Sequence, residues 1–117
     1  MTTIRSPAVV GLFYPADARQ LEQDVQHLLA QAEFHDAKPK ALIVPHAGYV
    51  YSGAIAATAY ASLYSVAAAI RRVVLLGPAH RVAVQGLALP GVDVFDTPLG
   101  SVKLDTDLVN AIAHLPQ

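Results

Sequence analysis

Two histidines, His46 and His80, are the side chains of this sequence best suited to chemistry. Each follows a short apolar run, 41–44 before His46 and 73–76 before His80, that is typical of a buried β-strand. Imidazole binds iron, zinc and copper ions. If the two runs are neighbouring parallel strands, both histidines lie at the same sheet edge and can share one metal ion. On spacing alone, each histidine can instead be a loop residue bonded to nearby backbone, because no local metal motif joins them.

The stretch between the histidines predicts a crossover helix over residues 53–66 that is apolar nearly all round. A strand, a helix and a second strand form a βαβ unit, which is parallel and right-handed. The helix start follows His46 closely, so free backbone N–H groups there would favour an anionic ligand. The residues predicted to contact a ligand are Tyr49, Tyr51, Ser52 and Arg81. The two tyrosines can also be ordinary packing residues with surface hydroxyls.

The remaining patterns complete a single α/β domain over residues 1–117. They predict a helix capped by Asp17 that reaches about Glu33, strands at 82–89, 92–96 and 101–104, and a helix capped by Asp105 that reaches about Leu115. Gly48, Gly53 and Gly77 are expected to let the backbone approach a ligand closely. The predicted fold is therefore of the three-layer α/β type, an open sheet with a parallel βαβ core and a C-terminal β-hairpin.

Composition narrows the classes of function. Hydrophobic residues make up 54% of the chain and charged residues 15%, against about 25% charged in a typical domain. The net charge is −1 and no run of Lys or Arg occurs, so we expect no nucleic-acid partner. Cysteine is absent, which removes disulfides and thiolate ligands and agrees with a cytoplasmic location. The uncharged stretch 41–70 is interrupted by Pro and Gly, so we expect no membrane span.

Four separated motifs occur in an order that matches a known family. They are RSPAVVGLFYP at 5–15, VPHAGYVYSG at 44–53, LGPAH at 76–80 and TPLG at 97–100. The sequence resembles the Memo family, called AmmeMemoRadiSam system protein B in prokaryotes. It matches only the N-terminal part of that family, whose members are usually more than twice this long. The resemblance implies a fold similar to the class III extradiol dioxygenases, which hold a non-haem Fe(II) with two histidines and a carboxylate.

The resemblance also implies roles for His46 and His80, which correspond to the two histidine ligands of the family and to its catalytic centre. Fe(II) is the metal expected by analogy, with zinc and copper as alternatives. The third ligand is a Cys in Memo proteins and a Glu in the ring-cleaving enzymes, and it lies in the C-terminal half of the family. Asp93 and Asp96, the acidic residues nearest to His80 in the sequence, are the candidates to replace it. We therefore expect metal binding to be weak, substoichiometric or absent.

Two functions of different classes follow. One is a metal-dependent dioxygenase-type oxidoreductase that acts on a small molecule such as a catechol. The other is a non-catalytic module that binds a phosphorylated or anionic peptide, because the Memo family includes proteins linked to recognition of phosphorylated receptor peptides. An acyl hydrolase is disfavoured, since the sequence has no Gly-x-Ser-x-Gly motif. The apolar crossover helix also predicts a homo-oligomer, most simply a dimer that covers it.

Overall fold

The order of elements is that of an α/β protein. A computed structural model describes residues 1–33 and 35–115. The elements are β1 (Ile4–Arg5), α1 (Ala18–Gln31), α2 (Tyr49–Ala61), a 3₁₀ turn (Ala67–Ala69), β2 (Val94–Thr97), β3 (Gly100–Lys103) and α3 (Thr106–Ile112). The chain forms two compact units, which we call the helical unit (8–71) and the sheet unit (1–7 with 72–117).

The helical unit is built on the packing of α1 against α2. Helix α1 begins at an Asp17 N-cap, whose carboxylate accepts a hydrogen bond from the Gln20 N–H at 2.8 Å. Among the residues of this unit that the structure describes, the buried side chains are Leu21, Ser52, Ala57, Ala61 and Ser62. Gly53 faces α1 so closely that a Cβ there would lie 3.0 Å from Leu28 Cδ1. Small residues on α2 thus allow the two helices to approach, which explains Gly53 by helix packing.

The sheet unit contains three strands in the order β1-β2-β3. β1 pairs with β2 in parallel, with Ile4 opposite Val94, and β2 pairs with β3 in an antiparallel hairpin. The hairpin turn ends at Gly100, whose φ of 122° suits glycine. Val94 is buried, and the guanidinium of Arg5 lies 5.6 Å from the centre of the Phe95 ring. Strand β1 is thus joined to a segment some ninety residues later in the chain.

Several predictions are confirmed. The protein is α/β with a small open sheet, and the C-terminal hairpin lies within two residues of the predicted strands. The helix predicted from Asp17 is α1, and the helix predicted from Asp105 is α3. In both helices the predicted aspartate accepts a hydrogen bond from the N–H three residues on. Local capping signals were therefore sufficient to place both helices.

Other elements differ from the prediction. Residues 41–44, 73–76 and 82–89 lie within the described chain but form no strand, and the parallel pair joins β1 and β2 instead. Ile43 is 100% exposed and Leu75 is 78% exposed. A strand needs a hydrogen-bonded neighbour, and apolar sequence alone does not supply one. The predicted strand pattern at these three segments was therefore wrong for this structure.

The crossover helix is also shifted. Helix α2 spans Tyr49–Ala61. It therefore begins four residues before the predicted start at residue 53 and ends five residues before the predicted end at residue 66. Ser62 ends α2, and its N–H and hydroxyl both bond to the Ala59 carbonyl, the hydroxyl at 2.6 Å. Such local bonds from serine compete with the regular helix ladder. Within residues 1–33 and 35–115, the structure has no helix with the length and apolar character needed to cross a membrane.

Candidate functional site

His46 lies in a short loop that the first turn of α2 holds in place. Gly48 occupies the N-cap position of α2, and its carbonyl accepts the N–H groups of Tyr51 and Ser52 at 2.9 and 3.1 Å. The Ser52 hydroxyl, in a residue only 7% exposed, donates to the Ala47 carbonyl at 3.0 Å. The two residues that follow His46 are therefore bonded to the helix. This arrangement restricts the backbone next to the imidazole.

The segment 9–15 contacts the same helix start. Its backbone turns at Gly11, whose φ of 77° is in the left-handed region, and the Val9 carbonyl accepts the Phe13 N–H at 2.9 Å. This turn directs the Phe13 carbonyl to the Tyr49 N–H, which donates to it at 2.8 Å. One of the otherwise unsatisfied N–H groups of the helix start is thus bonded within the protein. Two motifs that are far apart in sequence, 5–15 and 44–53, meet here.

Tyr49 belongs to a group of aromatic side chains at this position. The Tyr14 and Tyr49 ring centres are 5.7 Å apart with the planes tilted by 41°. Burial raises the pKa of the Tyr49 hydroxyl above its ordinary value, and the neighbouring Tyr14 and Tyr60 raise it further. Tyr49 is therefore a neutral phenol at physiological pH and can donate a hydrogen bond.

Tyr51 has different surroundings from Tyr49. Residues two apart in a helix are separated by about 200° around the axis, so the two tyrosines occupy different faces of α2. Tyr51 is 83% exposed, and a Cβ built on Gly48 would lie 3.8 Å from its ring. The helical unit thus brings His46, Tyr49, Tyr51 and Ser52 to one end of α2. Only the tyrosines among them present hydroxyls that are not already used in a backbone bond of the loop.

His80 and Arg81 belong to the sheet unit, in a stretch of exposed residues without helix or strand. A Cβ on the nearby Gly77 would meet no atom within 4 Å, so close approach of protein atoms does not explain that glycine. The predicted convergence of His80 with His46 concerns residues of two different units. It stays a prediction, as does the role of Arg81.

The two aspartates considered as a third metal ligand already have partners. The Asp93 carboxylate accepts the Thr3 N–H and the Thr3 hydroxyl, each at 2.8 Å, and these bonds hold its pKa below the ordinary value. Asp96 accepts the Ser101 hydroxyl at 2.9 Å. Across residues 1–33 and 35–115, no three His, Cys, Asp or Glu side chains form a group that could hold a metal ion. Asp93 thus has a structural role, because its hydrogen bonds attach the residue before β1 to the residue before β2.

A shallow depression of about 500 Å³ lies at the other end of α2. It is lined by Leu29, Ala30, Ala32, Ala61, Tyr64 and Ser65. From Gly48 to Ala61 the helix rises roughly 20 Å at 1.5 Å per residue, so this depression is separate from the His46 loop. Its lining is mainly apolar and contains none of the predicted site residues.

The contact between segment 9–15 and α2 was not predicted. One aromatic side chain of this segment, that of Tyr14, packs against Tyr49 of α2. Its backbone contacts α2 through the Phe13 carbonyl, a group that any residue type carries. The Gly11 position was the available signal, because a glycine between apolar residues favours a turn there.

Comparison with known proteins identifies the family. The family model described as Memo-like protein matches residues 5–117. A MEMO1 family protein of Aquifex aeolicus is 37% identical over 113 residues, which cover 97% of this chain and 41% of the relative. One from Ignicoccus hospitalis is 38% identical, over 93% of this chain and 41% of the relative. Protein MEMO1 of Xenopus tropicalis is 39% identical, over 86% and 33% respectively.

The coverage of these relatives is unequal. This chain spans about two fifths of the length of the two microbial proteins and a third of the length of the frog protein. The match contains the four motifs, including the loop of His46 and the segment of His80. With a family match over nearly its whole length, this chain belongs to the Memo-like protein family.

Proposed function

We propose that this chain contributes His46 and His80 to a divalent metal site of the type found in class III extradiol dioxygenases. The proposed activity is oxidation of a small molecule such as a catechol, with Fe(II) as the favoured metal. The observation that carries the proposal is the loop of His46, whose next two residues are bonded to the first turn of α2. A metal ligand must be held close to one geometry, and this loop restricts the histidine accordingly.

The donor set of the chain is incomplete for such a site. Two imidazoles suit Fe(II), Zn or Cu, but catalytic sites of this kind use at least three protein ligands. The described residues include no group of three suitable side chains, and Asp93 and Asp96 are bonded elsewhere. The residues present therefore do not fit a complete catalytic centre. We expect weak metal binding and derive no reaction step from it.

The alternative function is binding of a phosphorylated or anionic ligand without catalysis. Its support is the neutral Tyr49 hydroxyl and the positive end of the α2 dipole. However, the Tyr49 N–H is already bonded to the Phe13 carbonyl, so an anion would have to replace that bond. This contact favours the metal function over the anion-binding function.

The test is a titration with Co(II), which stands in for Fe(II) and changes its visible absorption spectrum when it binds protein ligands. Wild-type protein should bind with an affinity in the micromolar range or weaker, and both His46→Ala and His80→Ala should abolish binding. The matched controls are His27→Ala and His114→Ala, since both histidines are exposed and lie elsewhere in the chain, His27 on α1 and His114 just after α3. Equal loss in all four variants would show nonspecific surface chelation. A parallel titration with inorganic phosphate tests the alternative function. That function requires phosphate to bind equally well with and without Co(II).

A further inference from the structure

We propose that Ser52 is a positioning residue for His46, acting through the Ala47 carbonyl. The proposal rests on the proposed function, because it assigns to His46 a role that needs a fixed position. Ser52 is 7% exposed, and its hydroxyl donates to the Ala47 carbonyl at 3.0 Å and lies 3.5 Å from the Gly48 carbonyl. A buried hydroxyl without a partner is unfavourable, so this bond persists while the helix is folded.

The geometry shows why this bond acts on the histidine. The Ala47 carbonyl belongs to the peptide group that joins Ala47 to Gly48, and Gly48 is itself bonded to α2 through its carbonyl. Fixing that peptide plane fixes the position of the Ala47 Cα, so the chain next to His46 is left with fewer backbone conformations. On the other side, the ring of Pro45 holds its own φ at about −65°. His46 is therefore the residue between two restricted positions, while its side chain remains exposed.

Segment 9–15 adds a second restraint to the same turn. The Phe13 carbonyl accepts the Tyr49 N–H at 2.8 Å, and the Tyr14 ring contacts the Tyr49 ring. These contacts hold the start of α2, whereas the Ser52 hydroxyl connects that start to the loop. Removing the hydroxyl should loosen the loop and leave the helix in place. The effect on His46 is thus separable from the effect on the fold.

The chain offers a closely matched control in Ser62. Ser62 lies at the other end of α2, is also 7% exposed, and donates its hydroxyl to the Ala59 carbonyl at 2.6 Å. Ser52→Ala and Ser62→Ala therefore remove the same type of bond from the same helix at equal burial. Both should lower stability to a similar extent. Only Ser52→Ala should change the backbone mobility of His46 and the affinity for Co(II).

The experiment measures two properties of the full chain. Backbone NMR order parameters of His46 and Ala47 should fall in Ser52→Ala, from about 0.85 toward about 0.6, and stay unchanged in Ser62→Ala. The affinity for Co(II) should fall about 2- to 10-fold in Ser52→Ala, the range expected for one hydrogen bond. Ser52→Thr keeps the hydroxyl and should restore both properties. In Ser52→Cys only the order parameters are measured, because its thiol could itself bind Co(II). The thiol is a weaker donor and should give an intermediate value, including when Ser52→Ala does not fold.

The two readouts separate the proposals. If wild-type protein fails to bind Co(II) but the order parameters fall only in Ser52→Ala, the proposed function is wrong and the positioning role of Ser52 stands. If order parameters at His46 are the same in wild type and Ser52→Ala, the positioning role is overturned whatever the metal result. Equal changes in Ser52→Ala and Ser62→Ala would also overturn it, because they would reflect general loosening of α2.

Discussion

Gly53→Ala tests how closely α1 and α2 approach each other. Alanine is favoured over glycine inside a helix by about 1 kcal/mol. Against this, a Cβ at residue 53 would lie 3.0 Å from Leu28 Cδ1, well inside the about 3.5–4.0 Å optimum for two carbon atoms. Leu28 is only half-buried, so its side chain can turn aside at about 0.5–1.5 kcal/mol. The two terms nearly cancel, and the single substitution should change the free energy of unfolding by less than about 1 kcal/mol.

The cancellation can be tested by removing the obstacle. In a Leu28→Ala background, Gly53→Ala should raise the free energy of unfolding by about 1 kcal/mol, because only the helix preference remains. The coupling energy between the two sites is therefore expected to be about 1 kcal/mol. Urea unfolding followed by circular dichroism measures the four proteins of the cycle. Thr58→Ala, at an exposed position of α2, is the control and should couple to Leu28→Ala by less than about 0.5 kcal/mol. A coupling of zero for Gly53 would refute the close approach of the helices.

Three further predictions address other parts of the molecule. Asp17→Ala should lower the free energy of unfolding by about 1 kcal/mol in urea titrations, because the bond to the Gln20 N–H is lost; Asp17→Asn, which keeps a capping oxygen, should lose much less. The N–H and hydroxyl of Thr3 lower the pKa of Asp93, so its stabilising contribution is complete above about pH 4 and is lost as the pH falls through the lowered pKa. Asp93→Asn should therefore weaken the pH dependence of urea midpoints in acid, whereas an unchanged dependence would contradict this role. Sedimentation should show a homo-oligomer, because α2 leaves apolar side chains exposed; a stable monomer that binds no hydrophobic dye would contradict it.

The parts of the fold that were predictable depend on contacts between near neighbours in sequence. Asp17 and Asp105 each bond to an N–H three residues later, so the residue type and the following apolar pattern suffice to predict the helix start. The hairpin is similar, because its strands are joined by a short turn that ends at Gly100. In each case the residues that define the element lie within one short window of the sequence.

The parts that were not predictable depend on distant partners. Runs 41–44 and 73–76 have the composition of buried strands, but composition does not say which backbone will pair with them. The short β1 strand has little pattern of its own, yet it pairs with β2 because Thr3 and Asp93 bond through both backbone and side chains. Sequence pattern reports burial preference, whereas strand pairing is a property of two segments together.

The start of α2 shows how the candidate site combines both kinds of information. The motif around His46 predicted a helix start close to the histidine, and it did not predict that the Phe13 carbonyl would accept the Tyr49 N–H. A helix start with free N–H groups is suited to binding anions, but one whose donors are engaged by its own chain is suited to holding a loop. Displacing the Phe13 carbonyl would cost an anion about 0.5–1.5 kcal/mol of its binding free energy. Metal binding at His46 would leave this bond intact and so would lose no binding free energy to it. The restraint on the loop would also reduce the entropy lost on binding. The contacts of the loop therefore favour a function in which the position of the imidazole matters more than the charge of the helix end.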